Sequence, residues 1–385
     1  MLDFHLQEWL DVGTRWIHVI AGISWIGTSF YFNWLNNRVR PPETPEPGVV
    51  AELWSVHGGE FYRVVKYEAT PDRLPSTLHW FKWEAYATWI SGASLLFIVY
   101  YLGPLGITVD PSKANLSRGA LIAIGLGSLV VGWLIYDALS RTPLARRPAW
   151  FAAIGFVLAS AAAFGYSQVM TGRAAYIHTG ALIGTLMAAN VFRVIIPSQR
   201  RMVDAMARGE TPDPEPGRDA ARRSVHNNYL TLPVVFIMVS NHFPSTFADR
   251  WNWALLAAIA LVGAAVRHWF NLRGQGRRNV WILPAAGMAM IALAVVTRPA
   301  AAGADVPPAV LAIVQQRCVP CHSTTPTEPG FTEAPKGMLL ETEDQLAVRR
   351  RVVGPLVESG FMPFENRTAM TPEERAIVVD WAKGG

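Results

Sequence analysis

Up to about residue 297 the chain alternates long apolar runs with short, Arg-rich connections. Beyond residue 298 the long runs stop, and polar and apolar residues mix at close spacing. Eight apolar runs stand out, near 11–35, 83–103, 119–139, 149–169, 174–197, 228–244, 251–270 and 279–297. Most reach the roughly 20 residues that a helix needs to cross about 30 Å of hydrocarbon. The sixth is the shortest. Trp9, Trp83, Trp150, Trp251 and Trp281 fall near the run ends, as an aromatic belt at a bilayer surface would. The pattern predicts an all-α protein. A polytopic bundle of about eight spans covers 1–297, a linker follows at 298–308, and one small globular domain occupies 309–385.

One connection is much longer than the others. Residues 36–82 open with Pro41-Pro42 and Pro45 and continue through His57-Gly58-Gly59-Glu60. From Phe61 to Tyr67 polar and apolar residues alternate, which is strand-like. Long ordered connections are often functional; a surface hairpin capping the bundle fits the same residues. In the tail, Val310 to Gln316 reads as a helix leading into Cys318. Thr371-Pro372-Glu373-Glu374 starts another: Thr371 is the N-cap, Pro372 suits the first helical position and Glu374 closes a capping box. Ile377, Val378 and Trp381 give that helix an apolar face.

Charge then fixes an orientation. Only 16% of residues are charged and 51% are hydrophobic, against about 25% charged in ordinary globular domains. A net charge of +5 would suit nucleic acid, but its distribution excludes that partner: residues 305–385 hold eleven acids against eight Lys and Arg, a net of −3. The surplus lies between the apolar runs. Leaving aside Lys82 at a run edge, eighteen Lys and Arg from Arg38 to Arg278 fall in 36–82, 140–148, 198–227 and the turn after the seventh run. The other connections hold four, Lys113, Arg118, Arg173 and Arg250. The positive-inside rule puts the first set in the cytoplasm and the tail outside. In a bacterium this is the inner membrane, with the tail in the periplasm. Met1 to Leu10 contains no Lys or Arg, so the basic region of a cleavable signal is missing. The expectation is that the spans themselves deliver the tail.

The sharpest chemical signal is Cys318-Val319-Pro320-Cys321-His322, the C-x-x-C-H signature of covalent c-type haem attachment. Two thiols add to the two vinyl groups of one haem, and the adjacent imidazole ligates the iron. These are the only two cysteines in the chain. A zinc site would need two further ligands, and there is no second cysteine pair. The tail is therefore expected to be a class I-like cytochrome c domain. Met362, in Gly360-Phe361-Met362-Pro363, is the favoured sixth ligand, with Met370 and Met338 as competitors; a thioether raises the reduction potential relative to a second His.

Ionisable residues within spans are functional candidates by default. His18, His178 and His242 fall in the outer half, near the expected haem. His57, His79, His226 and His268 lie at or below the inner surface. His18 and His178, each followed by glycines, form a pattern that can grip a second, non-covalent haem b; a histidine hydrogen-bonded across helices gives the same pattern. Lys82, Glu84, Asn190, Arg193, Asn227 and Asn228, with His79 and His226, suit a planar anion with many acceptors. They equally suit interfacial side chains reaching for water.

His57-Gly58-Gly59, Leu78-His79-Trp80-Phe81-Lys82-Trp83-Glu84-Ala85-Tyr86-Ala87-Thr88-Trp89, and the run from His178 through Gly180, Gly184 and Asn190-Val191-Phe192-Arg193 to Ile196-Pro197 resemble the membrane-bound urate oxidases fused to cytochrome c. The resemblance covers essentially the whole chain. It implies a purine-degrading oxidoreductase: urate loses two electrons and is hydrated to 5-hydroxyisourate. Electrons then pass through the haem domain to a respiratory acceptor, a cytochrome c or a terminal oxidase, without forming hydrogen peroxide. The family's haem residues carry over to Cys318, Cys321, His322 and Met362. Its urate ligands do not carry over residue by residue, so the substrate-site candidates remain His18, His178, His79, Lys82, Glu84, His226 and Asn227. Two other readings stand beside this one: a membrane-anchored electron-transfer cytochrome subunit without its own substrate site, and a transporter with a redox domain.

Overall fold

The computed structural model describes residues 4–67, 75–103, 105–110, 113–248, 251–298, 306–358 and 360–383. Of the expected linker at 298–308, residues 299–305 lie outside the described residues, as do Arg73 and Arg250 of the charge count. The chain is mostly helical. Before residue 298 it forms α1 (Phe4–Arg38), α2 (Trp83–Leu95), α3 (Arg118–Ser140), α4 (Pro148–Val169), α5 (Gly172–Ala189), α6 (Ile196–Ala207), α7 (Pro214–Ser240), α8 (Asn252–Gly274) and α9 (Ile282–Val296). Two π-helical turns extend this set. Leu96–Tyr101 continues α2, and Asn190–Ile195 joins α5 to α6 in one long rod.

Among the described residues four helices are long and apolar enough, by length and composition, to cross a membrane: α3, α4, the α5–α6 rod and α8. The other expected spans fall short of that standard for identifiable reasons. α9 has 15 residues. α1 is long, but Trp, Tyr, Ser and Thr dilute its apolar run. α7 is polar up to His226, Asn227 and Asn228, and only the part after them is apolar.

α5 is the centre of the bundle. Half of the apolar window of its rod is buried, against 11–17% in the other three; it packs against α2, α3, α4, α7 and α8. Small residues let its neighbours come close, as at membrane helix interfaces generally. A Cβ on Gly180 would stand 2.7 Å from Ile237 of α7. On the outer helices the large apolar side chains face outward instead: Val130, Val131 and Leu134 of α3, Val157 of α4, and Ile291 and Val295 of α9 are exposed. A hydrocarbon surround would cover these faces. Trp9, Trp83, Trp150, Trp251 and Trp281 are all exposed near helix starts, as expected of a belt.

The long connection forms an antiparallel hairpin of β1 (Val49–His57) and β2 (Glu60–Tyr67), an addition to the expected all-α class. Gly58 and Gly59 have positive φ, which a two-residue hairpin turn requires. The hairpin does not cap the bundle. Trp54, Val56 and Phe61 are exposed, and it is joined to the end of α1 through the Arg40–Glu52 bridge and the Lys66–Asn36 bond.

The tail folds around its own apolar core. Helices α10 (Pro308–Arg317), α11 (Glu343–Val348), α12 (Arg350–Glu358) and α13 (Pro372–Lys383) enclose Val310, Val314, Leu346, Val357 and Val378. The capping box of α13 is formed: Thr371 N–H donates to Glu374 Oε2 at 2.8 Å, and Glu374 N–H donates to Thr371 Oγ1 at 3.2 Å. Glu374 also pairs with Arg317 at 3.0 Å, tying α13 to α10. A second box, between Thr342 and Gln345, opens α11.

α12 and α13 touch where Gly354 faces Ala382; a Cβ on Gly354 would stand 2.4 Å from the Ala382 Cβ. Gly354→Ala would gain about 0.5–1 kcal/mol of helix propensity. Overpacking against a side chain with no rotamer to yield costs about 1–3 kcal/mol, so the clash wins. The expected outcome is a lower thermal midpoint for the variant; an unchanged or higher one would contradict this packing.

Candidate functional site

The tail and one end of the bundle share a cavity of about 530 Å³. From the tail it is lined by Cys318, Cys321, His322, Met338, Leu340 and Met362, and from the bundle by Lys113, Arg173, Asn241, Phe247 and Asn252, among others. The bundle residues come from the connections that carry few basic residues.

The tail set is built by a tight turn. Cys318 N–H bonds back to Val314 O at 2.8 Å, ending α10. The amides of Cys321 and His322 then both bond to Cys318 O, at 3.1 and 2.9 Å. Two thiols and an imidazole thus leave one turn. His322 Nδ1 lies 3.0 Å from Met338 O, so Nδ1–H donates and Nε2 keeps its lone pair. Burial lowers the His322 pKa, which favours the neutral ring a metal ion needs.

Of the three candidate methionines, Met370 lies in the tail core. Met338 lines the cavity, but its carbonyl holds the His322 ring. Met362 reaches the cavity from a separate segment. Its amide donates to Leu356 O at 2.9 Å, and its carbonyl accepts from Arg375 Nη1 at 2.7 Å. Two thiols, one neutral imidazole and one thioether, with Leu340 and Val353 on the wall, are a donor set that fits a covalently attached porphyrin. Among the described residues no group of three or more His, Cys, Asp and Glu gathers that could by itself hold a metal ion.

His178 is fully buried. Its Nδ1–H donates to Ala174 O at 2.8 Å, and its Nε2 accepts from Tyr101 OH at 3.2 Å. Both nitrogens are therefore engaged. Gly125 makes the room: a Cβ there would stand 3.1 Å from His178 Nε2. His18 bonds instead across to α2, its Nδ1 lying 3.0 Å from both Thr88 O and Ser91 Oγ. The two imidazoles share no hydrogen-bond partner.

Toward the other end of α5 lies a polar network. Asn190, first residue of the second π-helical turn, donates through Nδ2 to Asn227 Oδ1 at 2.9 Å and to Tyr136 OH at 3.0 Å. Its Oδ1 accepts from Arg223 Nη1 at 3.1 Å. Arg223, 1% exposed, also pairs with Asp137 at 2.7 Å and lies over the Tyr136 ring. His226 bonds Tyr136 OH through Nδ1 at 2.8 Å and stacks on Phe151. Asn228 joins a separate pair, accepting from Arg267 and Asn271 at 2.9 and 3.0 Å.

The structure thus brings Asn190, His226 and Asn227 together, as the sequence suggested. It adds Arg223, Tyr136 and Asp137, which sequence reasoning missed. Arg223 reads as one more cation of a basic connection until α7 is seen to begin at Pro214, which places it inside a helix. Arg193 is exposed. No hydrogen bond or ring contact among the described residues joins His79, Lys82 or Glu84 to this network. His79 is exposed and meets Phe81 edge-on, Lys82 is the N-cap of α2, and Glu84 Oε2 is buried without a partner among the described residues. Arg173, Asn241 and Asn252 at the cavity floor were also missed, because only the tail's position gives them significance.

Among known proteins, the family model described as urate oxidase N-terminal matches residues 4–298. No curated protein and no solved structure matches the chain.

Burial, with the Cys321 thiol beside it, pushes the Cys318 thiol up to about 12, while burial also raises Cys321. Cys318 is buried and Cys321 half-buried. In protein produced without haem attachment, iodoacetamide at pH 8 is expected to modify Cys321 well before Cys318, because a raised pKa leaves less thiolate. Mass mapping of the alkylated peptides checks this; equal rates would refute the burial difference.

Proposed function

We propose, from the premise that the chain belongs to the urate oxidase N-terminal family, that it is a membrane-bound oxidoreductase that converts urate to 5-hydroxyisourate and passes the electrons outward through a c-type haem on its tail. In this reading α1, α2 with its π-helical turn, α3, α4, the α5–α6 rod, α7, α8 and α9 are eight spans of a bacterial inner membrane. Residues 309–385 are a cytochrome c domain facing the periplasm. The observation that carries the reading is the shared cavity, into which Cys318, Cys321, His322 and Met362 of the tail and the end of the bundle both open.

The residues have distinct roles. Cys318 and Cys321 would hold the porphyrin through thioether bonds, with His322 Nε2 and the Met362 sulfur on the iron. Arg375 fixes the Met362 backbone, and Met338 O fixes the His322 ring. The haem supplies a one-electron acceptor that can be reoxidised by a respiratory cytochrome c or terminal oxidase, so dioxygen need not take the electrons. The bundle supports the substrate-binding half, for which a bare anchor would need only one span. The packing of His178 leaves it no free ring nitrogen, so this reading uses one covalent haem and treats the pair His18 and His178 as structural. Acid-acetone extraction that released stoichiometric haem b would reinstate a second one.

Urate added to purified membranes is expected to reduce the c-type haem without hydrogen peroxide. Absence of reduction with the haem intact would return the chain to an electron carrier or a transporter. Met362→Ala is expected to abolish the weak absorption band at the red end of the spectrum that marks Met–iron ligation. Its retention would move the ligand to Met338 or Met370.

A further inference from the structure

The bundle side of the cavity is a chemical surface in its own right. Arg173 stands in the first turn of α5. Its Nε–H donates to Asn241 Oδ1 at 3.0 Å, and its guanidinium carbon lies 5.9 Å from the centre of the Tyr100 ring. Tyr100 OH donates to the same Asn241 oxygen at 3.3 Å. One edge of the fork is thereby fixed. No carboxylate among the described residues pairs with Arg173, so its charge is not cancelled by an ion pair. Lys113, also on the lining, is partly neutralised: its ammonium lies 3.4 Å from Asp110 and donates to Met170 O at 3.2 Å.

Beside Arg173 lies Asn252, 3% exposed. Its Nδ2–H donates to Phe247 O at 2.9 Å, while its Oδ1 is buried with no hydrogen-bond partner among the described residues. Leaving a buried acceptor unmade costs free energy; Asn252 is itself a lining residue of the cavity, so a modest turn of its amide would offer Oδ1 to a donor from a ligand. Gly172 lets α5 press onto this shelf, since a Cβ there would stand 1.9 Å from Phe247 O and 2.8 Å from Asn252 Nδ2.

A fixed cation and a hungry acceptor select a particular ligand. A porphyrin propionate presents only acceptors, so it could meet Arg173 but could not satisfy Asn252 Oδ1. A planar anion with both carbonyl oxygens and ring N–H groups meets both. Urate monoanion is of that kind. Resting on the function proposed above, we infer that Arg173, Asn241 and Asn252 form the substrate's recognition site, at the cavity floor between the bundle and the tail. The buried network around Arg223 is then a structural tie rather than the reaction site. It lies at the far end of α5, 17 residues from Arg173 to Asn190, or about 25 Å along a helix. The floor, by contrast, puts urate beside the tail's haem-bearing residues. The balance of the step is simple: urate monoanion and one water give 5-hydroxyisourate, one proton and two electrons. A C5–O bond forms, the ring C4–C5 double bond is lost, and the tail's one-electron acceptor takes the electrons in turn.

The test uses haem-loaded, detergent-solubilised protein. With the haem reduced by dithionite under argon, turnover stops and equilibrium dialysis of labelled urate reads binding alone. Arg173→Gln is expected to weaken urate binding at least tenfold, with the haem spectrum and midpoint potential unchanged. With oxidised haem, urate-driven reduction should need correspondingly more urate. Asn252→Leu, which keeps the volume and removes the acceptor, should also weaken binding. Parental affinity in Arg173→Gln would overturn the assignment, and so would a shifted midpoint potential with unchanged urate affinity, which would hand Arg173 to a propionate. Should Arg173→Gln fail to fold, Arg173→Lys keeps the charge without the fork. It is expected to bind urate more weakly, and parental affinity there is equally fatal. If parental protein is reduced by urate while both variants match it, only the location is wrong. If parental protein neither binds urate nor is reduced by it, the function itself is wrong, and the site with it.

Discussion

The dominant constraint on this chain is that polar atoms buried among apolar helices must find their partners inside the protein. Water is scarce there, and an unpaired donor or acceptor costs far more than a paired one gains. The bundle meets this demand chiefly between α5 and α7. Arg223 is nearly wholly buried, yet it reaches Asp137, Asn190 and two aromatic faces. Asn227 both accepts from Asn190 and donates to Met187 O. Removing one member would strand the others, which is why the network reads as a tie.

The two π-helical turns belong to the same solution. Each occurs where a helix carries side chains into a polar or aromatic cluster: Tyr100 and Tyr101 at the end of one, Asn190 at the start of the other. A π-helical turn changes which face a residue presents, and such turns recur at functional places. Here one directs Tyr101 to His178 and Tyr100 to Asn241, and the other directs Asn190 into the Arg223 network. The tail obeys a different constraint. Its core is small, so caps and ion pairs such as Glu374 with Arg317 fix the ends of short helices around the Cys318–His322 turn.

Features with a local cause were legible in the sequence. The capping box at Thr371 depends on residues three apart. The turn holding Cys318, Cys321 and His322 follows from its own spacing, and the helix-end tryptophans from their neighbours. What depends on packing between distant segments was not legible. The polar residues that knit α7 into the bundle lie before its apolar run, so hydropathy marks the run at 228–244 and misses the polar half of the helix that precedes it. The Gly360-Phe361-Met362-Pro363 setting favours Met362 over Met370, but only the fold puts Met370 in the core and Met362 on the cavity. Arg173 looked like a stray outer cation, since nothing local links it to Asn241, 68 residues away.

That last bond has a mechanical corollary. α5 is fastened to the α7 segment at both extremities, through Arg173 and Asn241 at one and through Asn190 and Asn227 at the other. Sliding or rotating one rod against its mate would break both fastenings together. The pair is therefore a stator. Whatever must shift to admit a molecule and let it go has to be sought in the peripheral helices or in the tail that roofs the cavity.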